Sequence, residues 1–272
     1  MALPQTATLL LKQDGPALHI TLNRSEARNA MSLEMVNELM AVFDTIAEDS
    51  NIRAVVLRGA DGHFCAGGDI KDMSTARARA AEAIAKGQDN PFFSLNRQFG
   101  HLITQVNHAP QVVVAVLEGA VLGGGFGLAC VSDVAIAHGK AQFGLPETGL
   151  GVIPAQIAPF VVERIGLTQA RRLALLGERF TGVEAHSLGV VHFVENDTDN
   201  IENTLARVLE QIKRCGPSAN RQTKALMHRV GHEPMSTLLD DAAKAFADAV
   251  ASEEGMEGTM AFVQKRLPSW AQ

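Results

Sequence analysis

Tyrosine is absent from the 272 residues and tryptophan occurs once, so no chemistry in this chain rests on a tyrosyl acid. Cysteine is scarce too: Cys65, Cys130 and Cys215 lie far apart, without the spacing of a zinc site or a disulfide framework. They read as reduced thiols in a cytoplasmic protein. The nine histidines are dispersed, no pair has metal-type spacing, and no metal is expected. No apolar run approaches the roughly 18 residues of a membrane span, and the first residues carry no basic, apolar leader, so no membrane partner is expected. Long basic runs are also missing. With a formal net charge of −6, nucleic acid is not expected as the main partner. The phosphate loop G-x-x-x-x-G-K-[ST], the nucleophile elbow G-x-S-x-G and the zinc motif H-E-x-x-H do not occur, which excludes the chemistries built on them.

Hydrophobic residues make up 46% of the chain, ample for one large core. The stretch Gln111–Gly151 organises the rest. Val112 to Leu117 is a continuous, largely β-branched run, the signature of a strand buried on both faces. Gly119 and Gly123 to Gly125 follow, opening a small-residue helix from Phe126 to Cys130. Unblocked N–H groups at such a helix start suit an oxyanion or a phosphate. The glycines do not fit G-x-G-x-x-G, which makes a nucleotide loop the weaker reading.

A second strand, beginning at Val55, leads to another small-residue turn, Ala66-Gly67-Gly68, closed by Asp69. Acyl-transfer and enolate chemistry needs two N–H donors from separate loops, each about 3 Å from the oxygen where charge develops. Ala66 and Gly124 are the candidate donors. Glu147, in the loop after the strand Val134–His138, is the candidate acid/base. Pro146 fixes its backbone, and apolar Phe143, Leu145 and Leu150 around it would raise its pKa by desolvation.

Four stretches carry a resemblance over nearly the whole chain: RNAMSLEMVNEL (28–39), FCAGGDIK (64–71), GAVLGGGFGLACVSD (119–133) and AQFGLPETGLGVIP (141–154). In their order and spacing they resemble the enoyl-CoA hydratase/isomerase, or crotonase, superfamily. The resemblance implies an α/β fold, a spiral of repeated ββα units with a C-terminal helical trimerisation region. Residues 1–198 would form the core with the CoA and active sites, and 199–272 the oligomerisation region of a homotrimer or homohexamer. It implies an oxyanion hole from the Ala66 and Gly124 N–H groups, with Glu147 acting at the acyl α-carbon. CoA would contact Arg28, Ala30 and the turn of Ala66, Gly67, Gly68, Asp69 and Ile70. Phe262 and Lys265 would close over it, often from the adjacent protomer. CoA is part of the substrate, and no cofactor is implied.

One position departs from the pattern: Gly127 stands where two-glutamate hydratases carry their first catalytic glutamate. Residues 151–166 and 170–182 look like bacterial hydratases of 3-methylglutaconyl-CoA and isohexenylglutaconyl-CoA, which can lack that glutamate as well. The resemblance therefore implies hydration of a branched glutaconyl-type enoyl-CoA, in acyclic terpene or leucine catabolism. A single-base isomerase is the alternative. A non-enzymatic, RNA-binding member of the same fold finds little support in the charge. Gly127 is expected to leave room near the β-carbon for a branch and a second carboxylate, with Lys71, Arg97 or His138 as its unranked partner.

In chain order, a hairpin of Thr8–Lys12 and Ala17–Asn23 precedes a helix capped by Ser32 and running to Asp49. Ala54–Leu57 is the next strand. Alanine-rich Thr75–Asn90 reads as a mobile, helical lid. A helical apolar stripe then runs from Phe92 to Val106, mostly core, with Phe92 or Phe93 as an acyl-pocket residue. Helices are expected over 155–165, 168–176, 201–215, 220–230, 236–251 and 255–266, with only Val190–Val194 extended.

Overall fold

The leucine run that opens β1 (Leu9–Asp14) and the apolar alternation of β2 (Ala17–Leu22) form an antiparallel hairpin with Leu9 opposite Leu22. The structure is a computed structural model that describes residues 2–88 and 90–272; the side chains of Ile70, Arg79, Ala81 and Ile84 lie outside that description. After β2 the strands run parallel. β3 (Ala54–Gly59), β4 (Val112–Leu117), β6 (Val134–His138) and β9 (Phe193–Glu195) complete a six-stranded sheet in the order β1-β2-β3-β4-β6-β9.

The unbroken apolar runs of β3 and β4 follow from burial on both faces. Val113, Ala115 and Leu117 face one core cluster with α1 (Leu33–Ile46) and α3 (Pro91–Asn107). Val114 and Val116 face a second, closed by Ile201, Leu205, Val208 and Ile212 of α7 (Thr198–Arg214). Ser32 starts α1 by accepting the Met35 N–H at 3.2 Å, as its type and place predict. α7 thus belongs to the sheet's packing, although it lies in the stretch assigned to oligomerisation.

A second sheet was not legible from the sequence. β5 (Ala120–Leu122) pairs parallel with β7 (Gln142–Gly144), which pairs antiparallel with β8 (Arg179–Thr181). Three-residue strands are too short to show a period. α4 (Gly124–Cys130) follows β5 and packs on it and on β4 of the first sheet. The two helices expected over 155–176 are one, α5 (Ala158–Leu176), kinked where Gly166 takes φ 75°. The alanine-rich segment is most of α2 (Ile70–Ala85), packed on α3 with Ala76, Ala80 and Ala83 buried; Asp89 lies outside the described residues.

The short α6 (Gly182–Ser187) is held by a capping box of Thr181 and Glu184. The tail helices α8 (Pro217–Arg229), α9 (Met235–Ala251) and α10 (Glu253–Val263) are tied back at two points. Lys224 reaches Asp133 Oδ2 at 2.7 Å and the Gln111 carbonyl at 3.2 Å. Arg53 donates to the carbonyls of Ile212, Lys213 and Cys215 at the end of α7 and to that of Trp270. A cation there also complements the negative end of the helix dipole.

Candidate active site

The turn after β3 is held from beneath by Asn29, a fully buried side chain that donates to the carbonyls of Ala60 and His63 and accepts the Arg24 N–H. Arg24 in turn pairs with Asp69 at 2.6 Å and donates to the Ala30 carbonyl. The backbone of 28–31 runs alongside the turn. The Met31 N–H donates to Gly67, and the Asp69 N–H to Met31. Arg28 and Ala30 therefore do adjoin the turn of 66–70, as the motif suggested, with the Arg28 side chain exposed. The Ile70 side chain lies outside the described residues.

Ala66 must be corrected as a donor: its N–H already donates to the Arg28 carbonyl at 3.0 Å. Gly67 takes φ 105° and turns its own N–H onto Cys65 Sγ at 3.4 Å. Because Met31 bridges to Gly68 through the groups of 67 and 69, the Gly68 N–H points the other way. It has no acceptor among the described residues. The deciding feature is the backbone flip at Gly67, which residue types do not reveal.

Gly124 begins α4, and its N–H likewise has no acceptor among the described residues. Cys65 links the two donor loops. It is fully buried, its backbone exchanges bonds with Ala120 and Leu122 of β5, and its Sγ accepts from both Gly67 and Gly125. Burial pushes the thiol up to about 11, so it stays neutral.

Glu147 lies against these loops. A Cβ placed on Gly123 would stand 2.9 Å from Glu147 Oε1 and 3.5 Å from Gly67 Cα, so turn, helix start and carboxylate converge. Gly123 itself sits at φ 52°, ψ −120°, a conformation open essentially to glycine. Glu147 Oε2 is buried with no hydrogen-bond partner among the described residues. Desolvation raises the carboxyl pKa, as expected. Phe143 and Leu145 are buried nearby in the chain, whereas Leu150 is largely exposed and contributes little.

The apolar neighbours of Gly124 are Met31 Cε and Phe99 Cζ, 3.1 and 3.2 Å from where its Cβ would be. Phe93 is 69% exposed, and the aromatic that packs over Gly124 is Phe99, read as core from the sequence. The room expected at Gly127 is closed as well. A Cβ there would collide with Ile157 Cγ2 and stand 3.0 Å from Ile103 Cδ1, both side chains being buried. Phe262 and Lys265 are exposed at the end of α10, which packs on α9; the single chain does not bring them to the turn of 66–70.

An unpartnered, partly desolvated carboxylate beside two unoccupied backbone donors can move a proton next to a carbonyl whose oxygen becomes negative. Comparison with known proteins agrees with that chemistry. The sequence profile described as Enoyl-CoA hydratase/isomerase matches residues 13–272. The structure is similar to that of Pseudomonas aeruginosa AtuE, with 60% identity, a TM-score of 0.93 and coverage of 98% of this chain and 100% of the other. An enoyl-CoA hydratase/isomerase from Marinobacter aquaeolei is similar at 59% identity and a TM-score of 0.92, over 97% and 99% of the two chains. Mevalonyl-coenzyme A hydratase SIDH of Beauveria bassiana is 31% identical over 93% of this chain and 90% of its own. The glycine turns, the lone glutamate and a match over almost the full length make this chain a member of the enoyl-CoA hydratase/isomerase family, the crotonase superfamily.

Proposed function

We propose that the enzyme hydrates a branched glutaconyl-type enoyl-CoA, 3-methylglutaconyl-CoA or isohexenylglutaconyl-CoA, to a 3-hydroxy-3-substituted glutaryl-CoA. The Gly68 and Gly124 N–H groups hold the thioester oxygen. Glu147 takes a proton from water as the water oxygen bonds to the β-carbon and the double-bond electrons move into the thioester enolate. The protonated Glu147 then returns a proton to the α-carbon. One water is consumed, and the carboxylate is regenerated.

The observation that carries this reading is Glu147 Oε2, buried and unpartnered beside Gly123, with no second carboxylate at Gly127. A lone carboxylate must perform both proton transfers, and a raised pKa brings its acid and base forms closer in energy. The substrate class draws support from residues 151–166 and 170–182, and from a relative named for mevalonyl-CoA, itself β-branched. The closed space at Gly127 withdraws the argument that its missing side chain admits the branch.

The same lone carboxylate favours a second reading, an isomerase in which Glu147 carries a proton between carbons. Turnover of 3-methylglutaconyl-CoA in heavy-oxygen water separates them. Hydration puts the label into a 3-hydroxy product, and a product without it would leave only isomerisation.

A further inference from the structure

α3 carries a glycine at its centre, Gly100, where a helix ordinarily loses about 1 kcal/mol relative to alanine. The space it leaves is filled from two sides. A Cβ on Gly100 would overlap the side-chain amide of Gln156 and the guanidinium of Arg97. Arg97 Nη1 lies 3.3 Å from Gln156 Oε1, and Gln156 Nε2 donates to Asn96 Oδ1 at 2.8 Å. Arg97 is thus laid along the helix by a neutral neighbour and has no carboxylate partner among the described residues.

The cluster sits next to the reacting centre. Phe99, the residue before Gly100, packs over Gly124, and Ile103, one turn on from Gly100 on the same side of α3, faces Gly127. Ile157, the neighbour of Gln156, is the residue that closes Gly127. The other cations named from the sequence are placed differently. Lys71, the second residue of α2, donates its N–H to Asp69 at the turn assigned to CoA, and His138 ends β6 with Nδ1 accepting from Lys140 N–H and Glu195 opposite it.

We infer that Arg97, seated by Gln156 in the gap at Gly100, binds the distal carboxylate of the acyl group and selects dicarboxylic over monocarboxylic enoyl-CoA. The inference rests on the glutaconyl reading above. A guanidinium offers two parallel donors to a carboxylate, and a neutral tether holds it in place without competing for its charge.

The test compares 3-methylglutaconyl-CoA with 3-methylcrotonyl-CoA, which differ only in the distal carboxylate, in wild type, Arg97→Met, Arg97→Lys and Gly100→Ala. Wild type favours the dicarboxylic substrate. In Arg97→Met the ratio of the two kcat/KM values falls about 10- to 100-fold, mainly through KM, as loss of a charge-assisted pair predicts. Arg97→Lys restores part of the ratio, and Gly100→Ala, which displaces the guanidinium, lowers it. An unchanged ratio in Arg97→Met beside a discriminating wild type overturns the role of Arg97 alone. A wild type that does not discriminate overturns the substrate class, and this inference with it.

Discussion

Restoring the missing glutamate is the obvious way to turn this enzyme into a two-carboxylate hydratase, and the packing at Gly127 predicts that it fails. Even the first added carbon is refused. In an unstrained helix Gly→Ala stabilises by about 1 kcal/mol. Here the new methyl would overlap Ile157 Cγ2 and press on Ile103 Cδ1, and overpacking of that kind costs about 1–3 kcal/mol. Gly127→Ala should therefore be neutral to destabilising by about 2 kcal/mol.

Removing Ile157 changes the sign. Ile157→Ala alone costs about 2–5 kcal/mol as a buried cavity. In that background the overlap with Cγ2 is gone, the methyl at 127 stands 3.0 Å from Ile103 Cδ1 and from the Cβ that alanine keeps at 157, and the helix preference reasserts itself. Gly127→Ala then stabilises by about 1 kcal/mol, a coupling of about 1–3 kcal/mol between the two sites. Urea unfolding of wild type, both single variants and the double variant measures it. An effect of Gly127→Ala with the same sign and size in both backgrounds would refute the reasoning. So would a Gly127→Glu enzyme with wild-type stability and raised hydratase turnover.

Three further outcomes follow from other contacts. Glu147→Gln abolishes turnover yet raises the melting temperature at neutral pH. The folded pKa of Glu147 lies above its ordinary value of 4.5, so its contribution to stability is whole below that value and is lost as pH rises through the folded pKa. Thermal scans should show variant and wild type coinciding in acid and separating as pH rises, and a difference that grows toward acid would contradict the burial argument. Cys65→Ala leaves the Gly67 and Gly125 N–H groups without their acceptor, which lowers kcat and costs about 1–3 kcal/mol. Cys65→Ser keeps an acceptor and should recover much of both; equal losses in the two would make Cys65 mere filler. Lys224→Ala takes the cation from Asp133, which is partly exposed and keeps the Val113 N–H, and should cost about 1–3 kcal/mol in urea unfolding, with limited proteolysis cutting first in the loosened tail. A loss below about 1 kcal/mol would mean that the pair does not anchor α8.

Where the chain repeats a period long enough to be seen, its structure was legible. The hairpin, the buried parallel strands, α1 with its Ser32 cap and the tail helices all fall within a few residues of expectation. β5, β7 and β8 did not, because three residues carry no period and their pairing is set by neighbours distant in sequence. The site divides in the same way. Glu147 and Gly124 stand out by residue type and surroundings. Gly68 was missed because donor direction depends on one backbone angle at Gly67. The room imagined at Gly127 was misjudged because a glycine in a sequence shows the missing side chain and not the neighbour that fills its place, here Ile157.

Two backbone N–H groups and one carboxylate are a sparse apparatus, and sparseness explains which parts of the fold are rigid. Backbone donors cannot be re-aimed by a side-chain rotation, so their directions must come from the loops themselves. Those loops are tied to each other through Cys65 and β5, and to the first sheet through Asn29, Arg24 and Asp69. Preorganised donors of this kind need no reorganisation as charge develops on the thioester oxygen. The groups that would choose among acyl chains instead stand on helix surfaces, Phe99 and Arg97 on α3 with Gln156 and Ile157 at the start of α5. On the proposal above, substitution there should change what binds without moving either donor. A chain of this family can thus exchange a glutamate at 127 for packed isoleucines and keep the enolate chemistry, provided the carboxylate that remains can both accept and return a proton.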